Sequence, residues 1–298
     1  MSSAAEGQTV LLTGARGLVG RRLVPLLFET ELSVLAVSRH AAPNPAGEPA
    51  VRWIALDLER PGALPARVDL LVHAAPIWLL PPWLPPAADA GVRRVVAFSS
   101  TSRFTRRASG SPRERETAGR IAAAEQAVQE TCRARGIRWT VLRPTLVYGG
   151  GRDRNVSHVA RFVRWFGFFP VAGAGRGLRQ PVHAGDLARA VLAVLDRPAT
   201  FDRAYDTPGG ETLPYVEMVS RIAVGVGRRP RILHVPRPLL RGALAIARRL
   251  PGFGHLTPEV ADRMDEDLVF DVTAARRDFG YDPRPFRFPD ETDALKAP

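Results

Sequence analysis

Apolar, β-branched runs alternate with stretches of helical period through the first two thirds of the chain. That alternation is typical of βαβ units, in which helices cover a parallel sheet. The apolar runs predict strands at residues 9–14, 32–38, 51–57, 69–75, 94–100 and 139–145. The helical stretches predict helices at about residues 18–29, 84–91, 114–134, 185–197 and 214–226. We therefore predict an α/β fold with a doubly wound parallel sheet.

The pattern loosens after residue 150, where turn-rich loops separate short helices and one strand is predicted near residues 231–235. We interpret residues 1–150 as the domain that holds the parallel sheet, and we expect the chain to return to it at about residues 181–207. Residues 151–298 then form mainly a smaller, substrate-side lobe.

One uncharged stretch, residues 70–88, is long enough to raise the question of a membrane span. Prolines at positions 76, 81, 82, 85 and 86 would break any spanning helix. We predict no transmembrane span, and expect a buried strand followed by an apolar loop. The amino-terminal residues do not resemble a secretory signal, so the predicted location is cytoplasmic.

The chain has 298 residues, and its 42 basic and 30 acidic residues give a formal net charge of +12. Such an excess favours anionic partners such as nucleic acid, an anionic membrane or a phosphate-bearing ligand. Nearly all of the positive charge is arginine in ones and twos, without a dense tract interleaved with aromatic residues, which argues against nucleic-acid binding. The single cysteine, Cys132, cannot form an intramolecular disulfide, and we expect no metal site.

The segment TGARGLVG follows the first predicted strand and places Gly14, Gly17 and Gly20 in a GxxGxxG pattern before a helix. Glycines let the backbone turn tightly and approach a pyrophosphate, whose charge is stabilised by amides at the helix N-terminus. We expect the neighbouring Arg16 and Leu18 to contact the same ligand. A tight structural turn without a ligand is the alternative.

The second predicted strand ends in Ser38 and Arg39, where NAD-binding folds usually carry an acid that bonds the adenosine 2′-hydroxyl. A guanidinium at this place would instead meet a 2′-phosphate, with Arg16 as a second donor. NADP(H) is therefore the predicted cofactor and NAD(H) the alternative, unless Arg39 is merely a solvated strand end. Asp57 and Leu58, at the end of the third predicted strand, are positioned to touch the adenine.

Together with LLVHAA, VAFSSTS, VLRPTLVYG and LRQPVHAGDLA, these motifs make the chain resemble the extended short-chain dehydrogenase/reductase family, in its NAD-dependent epimerase/dehydratase branch. The resemblance covers roughly residues 8–285. It implies that the sheet domain is an NAD(P)-binding Rossmann domain. By the same resemblance the cofactor is lined by Ala74, Ala75 and Pro76, and its nicotinamide is flanked by Pro144 and Thr145.

The resemblance also implies roles on the substrate side. Thr101 stands where the family keeps a catalytic serine or threonine, and Arg179 matches an arginine that reaches a substrate phosphate in nucleotide-sugar members. Asp186 opens the next predicted helix and is expected to be its N-cap. Tyr148 should face the substrate, where packing or substrate contact is favoured over proton transfer.

The chain departs from the family pattern on the helix after SSTS. Its tyrosines, at 148, 205, 215 and 281, are never followed four residues later by lysine, so the Tyr-x-x-x-Lys pair is missing. Alignment on Glu125 puts Glu116 at the tyrosine position and Arg120 at the lysine position. Arg120 could hold the nicotinamide ribose, but a carboxylate of pKa about 4.3 is a far weaker base than a phenolate of pKa about 10.

A second departure is the short, proline-rich segment after the fourth strand, where relatives usually carry a long helix that often supports a dimer. This weakens the expectation of a homodimer.

His73 is expected to be a hydrogen-bonded core histidine, with titration near the cofactor as the alternative. The arginine-rich stretch 237–253 is expected to be a helix facing the core of the lobe, with contact to a membrane surface as the alternative.

Two functions remain open from the sequence. The first is an NADP(H)-dependent epimerase/dehydratase-like oxidoreductase with an altered acid/base set, acting on a small molecule such as a phosphate-bearing or nucleotide-sugar compound. The second is a non-catalytic NADP(H)-binding protein with a structural, assembly or sensing role.

Overall fold

The structure is a computed structural model that describes residues 7–39, 51–64, 67–151, 153, 155–249 and 257–289. Its strands are β1 (Thr9–Thr13), β2 (Ser33–Ser38), β3 (Val51–Ala55), β4 (Leu70–His73), β5 (Arg94–Phe98), β6 (Arg138–Pro144), β7 (Val147–Tyr148), β8 (Phe169–Ala172), β9 (Leu178–Arg179), β10 (Val182–His183), β11 (Arg203–Thr207), β12 (Leu213–Pro214) and β13 (Ile232–Val235). Its helices are α1 (Gly20–Phe28), α2 (Leu84–Asp89), α3 (Ser102–Thr105), α4 (Pro112–Ala134), α5 (Val156–Phe166), α6 (Ala184–Leu195), α7 (Tyr215–Gly225), α8 (Arg237–Ala247), α9 (Glu259–Arg263) and α10 (Thr273–Phe279).

Seven parallel strands form the main sheet, in the order β11-β6-β5-β4-β1-β2-β3. The six strands predicted for this sheet and the doubly wound α/β fold are confirmed. The seventh strand, β11, was not predicted; it pairs with β6 at the edge of the sheet, with Ala204 opposite Val141. Its sequence, RAYDT, is short and polar, so it lacks the apolar run by which the other strands were recognised.

Helices cover both faces of this sheet, which explains why its strands are nearly continuous apolar runs. Successive residues of a strand point to opposite faces, and the two resulting cores are distinct. Val10 and Leu12 of β1 pack with residues of α1 and α6, whereas Leu11 packs with residues of α2 and α4.

The smaller lobe is built around α5, α7 and the two-stranded parallel pair of β8 and β13. The strand predicted near residues 231–235 is confirmed as β13, and its partner β8 was not predicted. Two apolar clusters stabilise the lobe, one between α5 and α7 and one around β8, α8 and α9.

The apolar stretch after β4 differs in detail from its prediction. Two single 3-10 turns, Ile77–Leu79 and Pro81–Trp83, precede α2, which is shorter than the predicted helix 84–91. Prolines are tolerated there because they stand in the first turns, where an amide has no intrahelical acceptor. Within the part of the chain that the structure describes, no helix is both long and apolar enough to cross a bilayer.

Candidate functional site

The glycine loop joins β1 to α1 and lies against the end of β4. Gly14 has a φ of +72°, and a Cβ on it would lie 2.5 Å from the carbonyl carbon of Ala74. A Cβ on Gly20 would overlap the carbonyl oxygen of Gly14, so both positions exclude any larger residue. The loop is closed by a 2.8 Å hydrogen bond from the Gly17 amide to the Gly14 carbonyl.

This loop leaves backbone donors available at the start of α1. Among the described residues, the amides of Leu18 and Val19 donate to no backbone carbonyl. Amides in this position, together with the helix dipole, form an anion site. The loop therefore fits the pyrophosphate of a dinucleotide.

The carboxyl ends of β2 and β3 lie beside the loop. Ser38 is buried, and its carbonyl accepts the Leu56 amide at 2.9 Å, whereas Arg39 is exposed. The Arg16 guanidinium lies 5.4 Å from the ring centre of Trp53 on β3. This cation–π contact holds the Arg16 side chain against β3, the strand that pairs with β2.

The two residues predicted to touch the adenine differ in burial. Asp57 is exposed, caps the Glu59 amide at 3.1 Å and forms a 3.8 Å ion pair with Arg60. Leu58 packs into the core beneath the sheet, and its carbonyl accepts the indole N–H of Trp83 at 2.9 Å. The Trp83 bond fixes the loop after β3 against the segment after β4.

The end of β4 places Ala74 and Ala75 half-buried behind the glycine loop, with Pro76 exposed. His73 is 1% exposed; its Nε2 donates to the Pro76 carbonyl at 3.1 Å, and its Nδ1 lies 2.8 Å from the Thr13 hydroxyl. Burial lowers the pKa of His73 to about 4, so the ring is neutral. This is the hydrogen-bonded core histidine that the sequence analysis favoured.

Thr101 and the end of β6 are joined directly. The Thr101 hydroxyl donates to the Pro144 carbonyl at 3.1 Å, and the Thr101 amide donates to the same oxygen. Thr101 is only 5% exposed. The Thr145 hydroxyl donates to the Gln180 carbonyl. Both hydroxyls are therefore engaged by backbone acceptors.

Glu116 and Arg120 lie on the exposed side of α4. The residues four and eight positions before Glu125 are Ile121, which is buried, and Thr117, which is half-buried. The helix face that leads to the buried Glu125 therefore carries neither a phenol nor a cation. The Arg120 guanidinium lies 4.7 Å from the ring centre of Trp78, in the segment after β4.

Glu125, which the family resemblance identifies only as an alignment point, is the centre of a buried ionic cluster. Its side chain is fully buried, and its carboxylate accepts hydrogen bonds from Ser99, Arg103 and Arg143. The Arg143 contact is bidentate, with Nη2 at 2.7 Å and Nε at 3.0 Å from Oε2. The cluster ties α4 to the carboxyl ends of β5 and β6.

Asp206, near the end of β11, extends this cluster and was also missed. Its Oδ1 lies 3.8 Å from Nη1 of Arg143, yet among the described residues that oxygen accepts no hydrogen bond. Burial raises the pKa of Asp206, and the positive charge of Arg143 opposes that shift. Asp206 lies in the part of the chain after residue 150 where the sequence predicts turn-rich loops and short helices, so no sequence signal indicates a half-buried carboxylate there.

The structure corrects the prediction that Arg179 faces an anionic substrate. Arg179 is 5% exposed and donates to the carbonyls of Leu178, Arg263 and Glu266, while its guanidinium lies 5.3 Å from the Tyr215 ring centre. Burial lowers its pKa. Arg179 therefore holds the chain segment after α9 onto the lobe.

Tyr148 takes the packing role that was favoured together with substrate contact, whereas Asp186 differs from its prediction. Tyr148 is 1% exposed, with its ring between those of His183 and Phe286 at 5.3 and 5.0 Å, so it packs in the lobe core. The N-cap of α6 is His183, whose Nδ1 accepts the Gly185 amide at 3.1 Å. Asp186 lies in the first turn and pairs with Arg284 at 3.0 Å.

Two contacts connect the sheet domain to the lobe across the face where Thr101 lies. Phe104 of α3 meets Phe270 with ring centres 6.2 Å apart. Glu114 of α4 pairs with Arg263 at 2.6 Å and accepts the Ser109 hydroxyl at 2.7 Å. Burial acts to raise the pKa of Glu114, but the hydroxyl and the guanidinium together hold it below its ordinary value.

A parallel sheet of this order, with a glycine loop between its first strand and first helix, defines a dinucleotide-binding Rossmann fold. The model of the NAD dependent epimerase/dehydratase family matches residues 10–78 and 84–206. The chain belongs to that family.

Solved structures of similar fold include epimerases. Epimerase Mth375 from Methanothermobacter thermautotrophicus is 19% identical, with a TM-score of 0.69 over 95% of this chain and 90% of that one. A mutant UDP-glucuronic acid 4-epimerase of Bacillus cereus, in complex with NAD and a fluorinated UDP-sugar, is 14% identical, with a TM-score of 0.71 over 94% and 95% of the two chains. At these identities the likeness concerns the fold alone.

Curated relatives match over shorter lengths. NADH dehydrogenase 1 alpha subcomplex subunit 9 of Arabidopsis thaliana is 29% identical over 36% of this chain and 26% of its own length. Protein y4nL of Sinorhizobium fredii is 28% identical over 66% of this chain and 60% of its own length. The chain therefore spans less than two thirds of either relative.

Proposed function

We propose that this protein binds NADP(H) in preference to NAD(H) and serves as a cofactor-binding protein, without the proton relay of its enzymatic relatives. The main support for the absence of a proton relay is that all four tyrosine side chains are engaged inside the fold. Three donate to or pack against groups inside the fold: Tyr148 between two rings, Tyr205 on Asp278 at 2.7 Å, and Tyr281 on the Pro208 carbonyl at 2.9 Å. The fourth, Tyr215, stacks beneath the Arg179 guanidinium.

Burial raises the pKa of Tyr205 and of Tyr215 to about 12, which opposes formation of a phenolate at neutral pH. A nicotinamide would supply hydride when bound, but transfer to or from an alcohol also needs a group that moves the hydroxyl proton. The Thr101 hydroxyl is hydrogen bonded to a backbone carbonyl, and Glu116 is exposed on α4. These placements support binding without efficient turnover.

Cofactor choice follows from the end of β2. Arg39 and Arg16 would each offer a guanidinium to a 2′-phosphate, and the buried Ser38 offers no negative charge. Structural neighbours contain NAD, so the dinucleotide itself is expected and only the preference is new. The Arabidopsis relative, of which this chain matches 26%, is named as a subunit of an NADH dehydrogenase, which is compatible with a role within a larger assembly.

Titration calorimetry with NADPH and NADH tests the preference. We expect NADPH to bind at least about tenfold more tightly, because one charge-assisted contact is worth about 1.5–3 kcal/mol. Arg39→Ala should remove most of that difference and leave NADH affinity unchanged. Arg52→Ala, at an exposed arginine in the amino-terminal half of β3, is the matched control and should change neither affinity. Equal affinities in the unaltered protein would refute the preference.

Turnover is tested separately with the bound cofactor and UDP-glucuronic acid or UDP-glucose, the ligands in two structures of one structural neighbour. We expect little or no converted sugar nucleotide by chromatography and little or no change in nicotinamide absorbance, since loss of general acid–base catalysis costs about 10²–10⁴-fold. Robust turnover would overturn the non-catalytic role. In that event Glu116→Gln and Asp206→Asn would show which carboxyl group moves the proton.

A further inference from the structure

The excess positive charge of the chain lies in two segments that contain arginines but no acidic residues, rather than in a continuous run of basic residues. No aspartate or glutamate occurs in residues 154–185 or in residues 218–258. Together these two segments carry 13 arginines, against a net charge of +12 for the whole chain. The remainder of the chain is therefore close to neutral, and the excess charge belongs to the smaller lobe.

The fold brings the two acid-free segments together. β8, from the first segment, pairs in parallel with β13, from the second, with Phe169 opposite Ile232 and Ala172 opposite Val235. The Phe169 amide donates to the Arg231 carbonyl at 2.9 Å, and the Arg228 guanidinium donates to the Arg164 carbonyl at 3.2 Å. The end of α5 and the loop before β13 are thus immediate neighbours.

Large apolar side chains are exposed at this junction. Trp165 is 73% exposed, Phe166 54%, Leu233 53% and Phe168 37%. Phe162 contacts Phe166 and Phe168 with ring centres 4.6 and 5.8 Å apart, which joins the phenylalanines into one surface. Exposed apolar patches of this kind mark interaction sites.

The arginines around these aromatic residues are not neutralised. In the described part of the chain, none of Arg161, Arg164, Arg228, Arg229 and Arg231 forms an ion pair. Other arginines of the same segments do, since Arg221 pairs with Glu211 at 2.8 Å and Arg237 with Asp265 at 3.4 Å. We call the surface the basic aromatic face; its members are Arg161, Arg164, Trp165, Phe166, Phe168, Arg228, Arg229, Arg231 and Leu233.

We propose that the basic aromatic face docks this protein onto the surface of an anionic lipid bilayer. Tryptophan and phenylalanine side chains partition into the boundary between headgroups and acyl chains, while arginines bind the negatively charged headgroups. A face that combines both, and contains no carboxylate to repel the surface, is complementary to that boundary. The protein binds peripherally, with its cofactor domain in water.

Two other occupants fit this face less well. A second copy of the chain would oppose the same unpaired arginines to one another, which costs energy in a two-fold interface. Single-stranded nucleic acid stacks its bases on separate aromatic platforms, whereas these phenylalanine rings pack on one another. An anionic bilayer meets the charge and the apolar surface at once.

Co-sedimentation of the whole chain with vesicles tests the proposal. Phosphatidylcholine vesicles are compared with vesicles of phosphatidylcholine and phosphatidylglycerol, at low and high salt. We expect binding only to the anionic vesicles, weakened by salt. Arg228→Ser/Arg229→Ser should lower the partition coefficient about 30-fold, which corresponds to about 1 kcal/mol for each arginine near the surface. Trp165→Ala/Phe166→Ala should lower it at least about tenfold.

Matched controls separate this face from charge or hydrophobicity in general. Arg93→Ser/Arg133→Ser removes two exposed arginines of the sheet domain, and Phe28→Ala removes an aromatic ring that is 40% exposed on α1. Neither should change vesicle binding. Equal losses in the controls, or no binding to anionic vesicles, would overturn the proposal. So would aromatic-dependent dimerisation without vesicle binding, or tighter binding to a single-stranded oligonucleotide than to vesicles of equal phosphate concentration.

Discussion

Replacement of Glu125 by alanine is the sharpest test of the buried cluster beneath the site. The carboxylate is fully buried, and two guanidinium groups depend on it for charge compensation. With alanine, Arg103 loses its ion pair, and Arg143 retains only the more distant Asp206 at 3.8 Å. The Ser99 hydroxyl also loses its acceptor. The substitution therefore leaves two partly buried cations beside one another.

The expected cost follows from the burial of the three charged side chains. Removal of one partner from a fully buried ion pair costs about 3–5 kcal/mol. Here the arginines keep 16% and 23% of their side-chain exposure, so water offsets part of the loss. We expect a decrease of about 3 kcal/mol in the free energy of unfolding, near the lower limit of that range. In a protein of this size the melting temperature should fall by about 6 °C or more.

Urea denaturation followed by circular dichroism measures this loss, with Glu130→Ala as the matched control. Glu130 lies on the same helix, is exposed, and accepts only a surface hydrogen bond from Gln126 at 2.8 Å. Its replacement should change stability by no more than about 0.5 kcal/mol. A double-mutant cycle with Arg143→Ala should give a coupling energy of at least about 1 kcal/mol. If Glu125→Ala costs no more than Glu130→Ala, the ionic cluster does not stabilise the fold.

Two further predictions concern Arg179 and His73. Arg179→Ala should lower the free energy of unfolding by about 2–3 kcal/mol, because three backbone carbonyls lose a charged donor. Arg176→Ala, at an exposed neighbouring arginine, should leave the free energy of unfolding unchanged. If Arg179→Ala leaves stability unchanged but abolishes UDP-glucuronic acid binding, Arg179 contacts the substrate after all. Burial lowers the pKa of His73 from 6.5 to about 4, so between these two pH values the unfolded chain binds a proton that the folded protein does not. The free energy of unfolding is therefore unaffected by His73 above about pH 6.5, and it falls by about 3 kcal/mol in total as the pH drops from there through about 4. His73→Gln should remove this slope, and an unchanged slope would show that other groups cause it.

The sequence alone determined the sheet and its first loop. The runs of β1, β2, β4, β5 and β6 are apolar because helices cover both faces, and that burial is recorded in consecutive residues. The glycines of the first loop are equally local, since Gly14 and Gly20 are needed where one backbone passes close to another within a single turn. Features that depend on residues close together in the sequence could therefore be predicted, and the family resemblance placed these features in the right order.

Only the tertiary structure decided which side chains meet. Arg179 and Tyr148 match family positions, but the lobe buries both, because segments far along the chain pack over them. Glu116 and Arg120 lie on the exposed side of α4, since Ile121 and Glu125 are the residues of this helix that pack beneath it. Sequence spacing gives the period of a helix but does not fix which face long-range packing will bury.

The charge of the chain shows the same division. Its sign and its arginine content were plain from composition, and the scattered arginines suggested no particular surface. Pairing of β8 with β13 gathers two acid-free segments that are distant in sequence, and it places their unpaired arginines around Trp165. Composition fixes how much charge a protein carries, whereas the fold determines where it lies, because electrostatic and apolar surfaces are formed by residues close in space rather than along the chain.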